Sequence, residues 1–288
     1  MKRKTLIICL LVLIFVGGIA ATIGFLFRVQ EITVAFSKSD YQTLFIDNES
    51  NKAISSYESE VAKIMKGKNI LFSLNKKKIT AAIEDSDPLV RVTNIEAKFP
   101  NKIAITVQER YPMYYCTQDE NTAILDYSLR VLSTDADFIQ DRKIINLSDQ
   151  FIFNDDFAGF TVGDNIENYL SGDESDKRVS TLVLMAQCFF GHSYTEEQLC
   201  TLINNISFDE QSIDPFNMTI VLSFYASTKT SIHIVIENYN DNFNQRLGFA
   251  WECLQTKTGF PASGRLIVSF DTVSGKLMGY WEPNWVEE

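Results

Sequence analysis

Two short motifs in the sequence match parts of a known acyl-transfer site. Residues 73–76 read Ser-Leu-Asn-Lys, the spacing at which a serine nucleophile stands beside a lysine, and residues 257–259 read Lys-Thr-Gly. Penicillin-binding enzymes use both patterns, with a Ser-x-Asn motif between them. That middle motif is absent here, and Ser73 falls in a small module without an all-helical domain. We therefore predict that the protein is not an enzyme, and keep an extracytoplasmic cell-wall-acting enzyme of the penicillin-binding type as the alternative.

The remaining side chains offer little for metal or cofactor chemistry. His192 and His233 are the two histidines, and the sequence contains no HExxH, clustered Cys/His, GxSxG, Walker or GxGxxG pattern. A zinc site needs several such ligands at short spacing. We predict no metal, no cofactor and no catalytic residue. Four cysteines after the N-terminal segment have no tight spacing, so their pairing stays open and we expect small buried hydrophobes at Cys116, Cys188, Cys200 and Cys253.

The overall charge narrows the class of partner. The chain of 288 residues has a formal net charge of −11 and is 45% hydrophobic, so most of it should fold, as one large domain or two modest ones. An acidic surface repels the phosphates of nucleic acid and the headgroups of anionic lipid. We expect protein partners, and neither nucleic acid nor a small-molecule substrate.

The first residues predict a membrane segment. Residues 5–27 are a run of 23 residues without a charge, which as a helix would be roughly 34 Å long, enough to cross a hydrocarbon core. Residues 2–4 read Lys-Arg-Lys, and this basic flank favours a cytoplasmic N-terminus with the rest of the chain outside. A cleaved signal peptide is the alternative, although the apolar run exceeds the usual roughly 7–15 residues.

The next 80 or so residues predict a small sheet covered by two helices. Alternation in residues 28–36 predicts a half-buried strand. Ser55 begins a capping box, and Asn75 is placed to cap a second helix. A hairpin follows, with Thr93, Ile95, Ala97 and Phe99 on one face of its first strand and Ile103, Ile105 and Val107 forming the core face of its second.

After Pro112 the pattern changes to short strands separated by polar turns. Helices are predicted at about 176–190, 195–204 and 243–255. A closing hairpin is formed by RLIVSFD and KLMGYWE, joined through Ser274-Gly275. We predict a second, mainly antiparallel β domain with a few helices.

The stretch FPNKIAITVQERYP, residues 99–112, is the most specific feature of the chain. It resembles the joint between the two extracytoplasmic domains of the bacterial cell-division protein family FtsQ/DivIB. The resemblance implies an α+β chain with a single N-terminal transmembrane helix, a small β-α-α-β-β POTRA-like module and a larger mainly antiparallel β domain. The implied boundaries are a cytoplasmic tail at 1–4, the transmembrane helix at 5–27, the POTRA-like domain at 28–110, the β domain at 111–283 and a C-terminal tail at 284–288.

The sequence departs from the family pattern in four respects. The connection at 37–54 is longer than is typical, Leu129 stands where a turn glycine is usual, residues 150–215 match no pattern of the family, and the expected cytoplasmic tail has only a few residues.

The resemblance also implies a role. Such proteins are non-enzymatic scaffolds of the division complex at the septum. They link partner membrane proteins, small bitopic coiled-coil proteins of the FtsL and FtsB/DivIC type, and help to control septal cell-wall synthesis.

The resemblance further implies a domain junction at Glu109, Arg110 and Pro112. The residues alone would favour an ordinary strand end with solvated charges. The closing hairpin, with an aromatic-rich end and a possible free sheet edge, is the expected partner surface, formed by Ile267, Val268, Phe270, Leu277, Tyr280, Trp281 and Trp285. Trp285, beyond Pro283, is expected to be exposed, whereas Tyr280 and Trp281 could instead cap the core of the domain.

Overall fold

The chain divides into two compact units, Met1–Arg110 and Tyr111–Glu288. They are described from a computed structural model. The described residues are 2–37, 50–139, 143–209, 217–222, 231–256, 263–283 and 285, without the side chains of 2–10, 20, 50–52, 173–176 and 209. Most of the predicted 37–54 connection lies outside the described residues.

The first unit is a three-stranded sheet packed with helices. Its strand order is β1-β3-β2, with β1 parallel and β2 antiparallel to the central strand β3. The predicted β-α-α-β-β order is present, with one additional short helix. The elements are α1 (Lys2–Leu26), β1 (Glu31–Phe36), α2 (Ser50–Met65), α3 (Ile70–Ser73), α4 (Lys76–Glu84), β2 (Val90–Lys98) and β3 (Lys102–Glu109).

The core of this unit confirms the predicted face of β3. Ile103, Ile105 and Val107 are almost completely buried and join apolar side chains of α2 and α4 in one cluster. The prediction for β2 is partly wrong, because a bulge between Val92 and Asn94 shifts the register. Ile95 remains inside, but Thr93 becomes exposed. Phe99 lies beyond the strand end and is also exposed.

The two predicted helix starts differ in outcome. Asn75 caps α4 as expected, since its Oδ1 accepts a hydrogen bond from the backbone N–H of Lys78 at 3.1 Å. The start at Ser55 is wrong, because α2 already begins at Ser50. Ala53 and Ile54 pack against the core, which extends the helix towards its N-terminus past the local cap signal.

The N-terminal helix α1 covers nearly all of the predicted membrane segment with its backbone. Its side chains before Leu11 lie outside the described residues. Within the described part of the chain, no helix is both long enough and apolar enough to cross a membrane.

The second unit contains two sheets. One has four strands in the order β6-β5-β4-β7 and the other has five in the order β12-β11-β10-β9-β8. The elements are β4 (Tyr114–Gln118), β5 (Asn121–Leu125), β6 (Val131–Ser133), β7 (Ile145–Asn146), α5 (Gly172–Gly191), α6 (Glu196–Leu202), β8 (Ile203–Asp209), β9 (Asn217–Leu222), β10 (Ile232–Ile236), α7 (Phe243–Thr256), β11 (Gly264–Asp271) and β12 (Lys276–Pro283).

These sheets are mixed, although most of their pairings are antiparallel. The pairs β4–β7 and β10–β11 are parallel. Parallel neighbours need a crossover connection, and α7 lies in the connection between β10 and β11. Buried side chains of both sheets join those of α5 and α7 in one core.

Two turns show how local chemistry and burial compete. Thr195 caps α6 and forms a complete capping box with Gln198. Leu129 has φ +62° and is wholly buried. A left-handed conformation costs a leucine roughly 1–2 kcal/mol, which the burial of its side chain, worth about 1.5–3 kcal/mol, can offset.

Substitution of Ile105 by aspartate should unfold the first unit. Ile105 is 2% exposed, and an unpaired carboxylate there costs several kcal/mol. Thermal unfolding followed by circular dichroism should lose the transition of this unit. Thr93→Asp places the same charge on an exposed residue of the paired strand and should change the melting temperature little. An Ile105→Asp protein that melts like the wild type would contradict the register of β3.

Candidate functional site

The closing hairpin forms one edge of the five-stranded sheet. β12 pairs with β11 from Gly264↔Pro283 to Asp271↔Lys276 and has no second neighbour among the described strands. The far side of an edge strand presents unpaired backbone N–H and C=O groups, which can accept a strand from another chain.

The inner face of this hairpin packs against α7. Leu266 and Val268 are buried, and a Cβ on Gly279 would lie 3.2 Å from Phe249 and 3.4 Å from the Sγ of Cys253. The prediction that Val268 belongs to the partner surface is therefore wrong, because its side chain is fully occupied by the core.

Trp281 is held on the same inner face by a close backbone approach. Gly264 has φ +152°, and a Cβ there would stand 2.3 Å from Cζ2 of the indole. Trp281 is half-buried against the core. Of its two expected roles, the geometry therefore favours the cap on the core of the domain over the partner surface.

The outer face offers the exposed apolar side chains. Tyr280 is 64% exposed and lies opposite the half-buried Ile267. Met278 is 53% exposed and shares the face of Tyr280, since alternate residues of a strand point the same way. The sequence analysis missed Met278, although its spacing of two from Tyr280 was the available signal. Two other predicted residues, Phe270 and Leu277, lie opposite each other on the inner face, where Phe270 is 45% exposed and Leu277 is half-buried.

Trp285 is not the freely exposed residue that we expected. Its ring contacts His233 edge-on at a centroid distance of 4.5 Å, and the Arg265 guanidinium carbon lies 4.8 Å from its centroid. Arg265 also pairs with Glu282 at 2.7 Å. This contact covers His233, which is 5% exposed. Trp285 thus fastens the chain after β12 to the outer face of the sheet.

The predicted junction begins with a buried ion pair. Arg110 directly follows β3, and its Nη2 donates to Glu84 Oε2 at 2.7 Å while its Nε donates to the Val90 carbonyl at 3.0 Å. The other oxygen of Glu84 accepts from the N–H of Val92 at 2.8 Å. The side chain of Arg110 is only 6% exposed. It is therefore not a solvated strand-end charge, and it ties α4 and β2 to the end of β3.

The other two junction residues lie on either side of this pair. Glu109 is the half-buried last residue of β3 and is paired with Val90. Pro112 is buried near the start of the second unit, and the Sγ of Cys200 lies 3.9 Å from its carbonyl oxygen.

Of the two motifs considered for chemistry, only the one at Ser73 lies within the described residues. Ser73 ends α3, where its N–H donates to the Asn69 carbonyl, and Lys257 lies outside the described residues. Cys116, Cys188, Cys200 and Cys253 are free thiols, of which Cys116 and Cys200 are buried. Burial raises the pKa of both buried thiols to about 12, which keeps them protonated and unreactive. In the part of the chain that the structure describes, no cluster of His, Cys, Asp and Glu could hold a metal ion.

Comparisons with known proteins match part of the chain, and the family match lies within the first unit. The family described as POTRA domain, FtsQ-type, matches residues 59–110. Cell division protein DivIB of Clostridium acetobutylicum is 34% identical over 97 residues, which cover 33% of this chain and 38% of that protein. Cell division protein DivIB of Clostridium tetani is 27% identical over 116 residues, covering 40% of this chain and 43% of that protein. The chain thus spans about two fifths of the length of these curated relatives.

Breaking the Arg110–Glu84 pair from one side should destabilise the first unit. Arg110→Met removes the guanidinium from the half-buried Glu84 carboxylate and should cost about 3 kcal/mol in urea unfolding. The double variant Arg110→Met/Glu84→Gln removes the stranded charge, keeps an acceptor for Val92 and should recover part of this loss. Lys98→Met breaks the exposed pair with Glu96 and should change the free energy of unfolding little, because water and salt screen such a pair. Equal losses in Arg110→Met and Lys98→Met would contradict the buried pair.

Proposed function

The chain belongs to the FtsQ/DivIB family, and on this premise we propose that it is a non-enzymatic scaffold of the bacterial division complex. It links partner membrane proteins and helps to control septal cell-wall synthesis. The observation that carries the proposal is the FtsQ-type POTRA match at residues 59–110, which ends at the ion-paired Arg110. The relatives named DivIB support the same role.

We propose that the scaffold is anchored in the cell membrane by one helix, at the division septum. The N-terminus is cytoplasmic, and residues from Arg28 onwards are extracytoplasmic. The uncharged run at 5–27 supports this anchoring, as does the helical backbone of Lys2–Leu26, in which residues 11–16 are all apolar and exposed. The basic residues at 2–4 support the orientation.

The partner surface that we propose is the β12 edge with the outer face beside it. Small bitopic coiled-coil proteins of the FtsL and FtsB/DivIC type would add an extended segment alongside β12, which is an edge strand among the described strands. Tyr280 and Met278 would supply apolar contact area, beside Ile267 of the neighbouring strand β11. Trp285 would act indirectly, because its contacts with His233 and Arg265 hold the end of the hairpin in place. No cofactor, nucleic acid or small-molecule substrate is part of the proposal.

The membrane orientation can be tested by protease protection. Protease added to intact spheroplasts should remove the second unit, because the proposed orientation exposes it on the outer side of the membrane. An epitope at the N-terminus should stay protected until the membrane is permeabilised. A second unit that survives in intact spheroplasts would overturn the orientation.

Partner capture should depend on the outer face of β12. Tyr280→Ser/Met278→Ser should reduce pull-down of the coiled-coil partners, with a loss of about 2 kcal/mol or roughly 30-fold in affinity for a central aromatic contact. Val273→Ser is the matched control, since Val273 is 94% exposed in the turn before β12. Deletion of residues 275–288 should abolish capture while the first unit stays folded. Capture at the wild-type level by the double variant and by the deletion would exclude this surface.

A further inference from the structure

The short helix α3 carries an exposed apolar pair that the fold does not use. Its first residue, Ile70, is 2% exposed and belongs to the core, whereas Leu71 is 44% and Phe72 is 83% exposed. A single exposed apolar residue is common on protein surfaces. Here two exposed apolar residues follow each other on a helix of one turn, and only the residue before them is buried. Such a pair indicates a surface that contacts something apolar.

The chain around this pair is strongly basic, against the acidic balance of the whole protein. Residues 66–78 contain five lysines and no aspartate or glutamate, although the net charge of the chain is −11. All five are exposed. None of them forms an ion pair with a carboxylate in the described part of the chain, unlike the nearby Lys63, which pairs with Glu60. The α3 patch consists of Lys66, Lys68, Leu71, Phe72, Lys76, Lys77 and Lys78.

Hydrogen bonds hold the α3 patch at the C-terminal end of α1. The N–H of Ile70 donates to the Phe27 carbonyl at 2.8 Å, and the N–H of Val29 donates to the Lys68 carbonyl at 2.9 Å. The side-chain amide of Asn69 lies 3.4 Å from the Ile23 carbonyl in the last turn of α1. The patch is therefore fixed beside the last residues of the apolar run.

A second loop extends the apolar surface at the same place. Phe99, which follows β2, is 62% exposed and contacts the ring of Phe27 edge-on at a centroid distance of 5.9 Å. Exposed aromatic rings beside the end of an apolar helix are the arrangement that an interfacial layer favours, because the ring enters the headgroup region. The lysine side chains can lie along the same surface with their ammonium groups among phosphates.

We propose that the α3 patch docks on a surface of anionic phospholipid. Leu71 and Phe72 insert between the headgroups, and the five lysines bind their phosphates. The charge of the lysines fits an anionic surface, and the protruding apolar pair fits the acyl boundary beneath it. The inference rests on the membrane anchoring proposed above and adds that the POTRA-like domain itself lies on the lipid. It revises the expectation that an acidic chain avoids anionic lipid, because the charge is unevenly distributed.

Tryptophan fluorescence of the full chain reconstituted in vesicles tests the docking. The three native tryptophans lie at positions 251, 281 and 285, so the emission of Phe72→Trp minus that of the wild type reports on α3. With phosphatidylglycerol in vesicles of phosphatidylcholine, the added emission should shift to the blue and be quenched by brominated acyl chains. Val273→Trp, on the 94% exposed turn residue of the second unit, should remain unquenched.

The charge requirement has its own matched pair of variants. In the Phe72→Trp background, Lys77→Gln should lower the ratio of docked to undocked protein about fivefold. Each lysine near an anionic lipid surface raises the equilibrium constant for binding by about that factor. Lys63→Gln makes the same change in net charge outside the patch and should have little effect. Added salt should weaken docking.

The outcomes separate this inference from the anchoring. A chain that incorporates into the vesicles but keeps residue 72 in water, or whose quenching is equal with and without phosphatidylglycerol, overturns the α3 docking alone. A chain that does not incorporate at all overturns both the anchoring and the docking.

Discussion

β3 is paired along both of its edges, with β1 on one side and β2 on the other, while its alternate side chains fill the core beneath the helices. A slip of one residue would expose Ile103, Ile105 and Val107 together and bury polar neighbours in their place. The end of the strand is also fixed, because the Arg110 guanidinium donates hydrogen bonds to the Glu84 carboxylate and to the Val90 carbonyl. The first unit therefore has one register and a fixed exit point for the chain.

Features set by short-range chemistry could be predicted from the sequence. The face of β3 follows from alternation, and the caps at Asn75 and Thr195 follow from side chains that reach backbone groups three residues ahead. The β11–β12 hairpin follows from two strand patterns around a glycine turn, and Gly275 has the expected positive φ of 66°. In each case the interaction that decides the structure lies within a few residues of the pattern.

The errors arise where distant residues decide. The bulge at Thr93 depends on the partner strand, and the early start of α2 depends on core contacts of Ala53 and Ile54. Among the candidate site residues, Val268 is buried because α7 covers the inner face. Trp285 is half-buried because its ring contacts His233 and Arg265, which lie 52 and 20 positions before it in the sequence. The sequence pattern indicated an aromatic hairpin, but not which of its aromatic rings face outwards.

The close approach of Gly264 and Trp281 limits how this hairpin can change during evolution. Any side chain at 264 would have to enter the space of the indole, so the effects of substitutions at the two positions are not additive. A larger residue at 264 becomes tolerable only after 281 has become small, and a bulky ring can return at 281 only in a glycine background. Mutational paths through the edge of the sheet therefore have an obligatory order. Positions 264 and 281, seventeen residues apart, therefore change together, whatever selection acts on the exposed face.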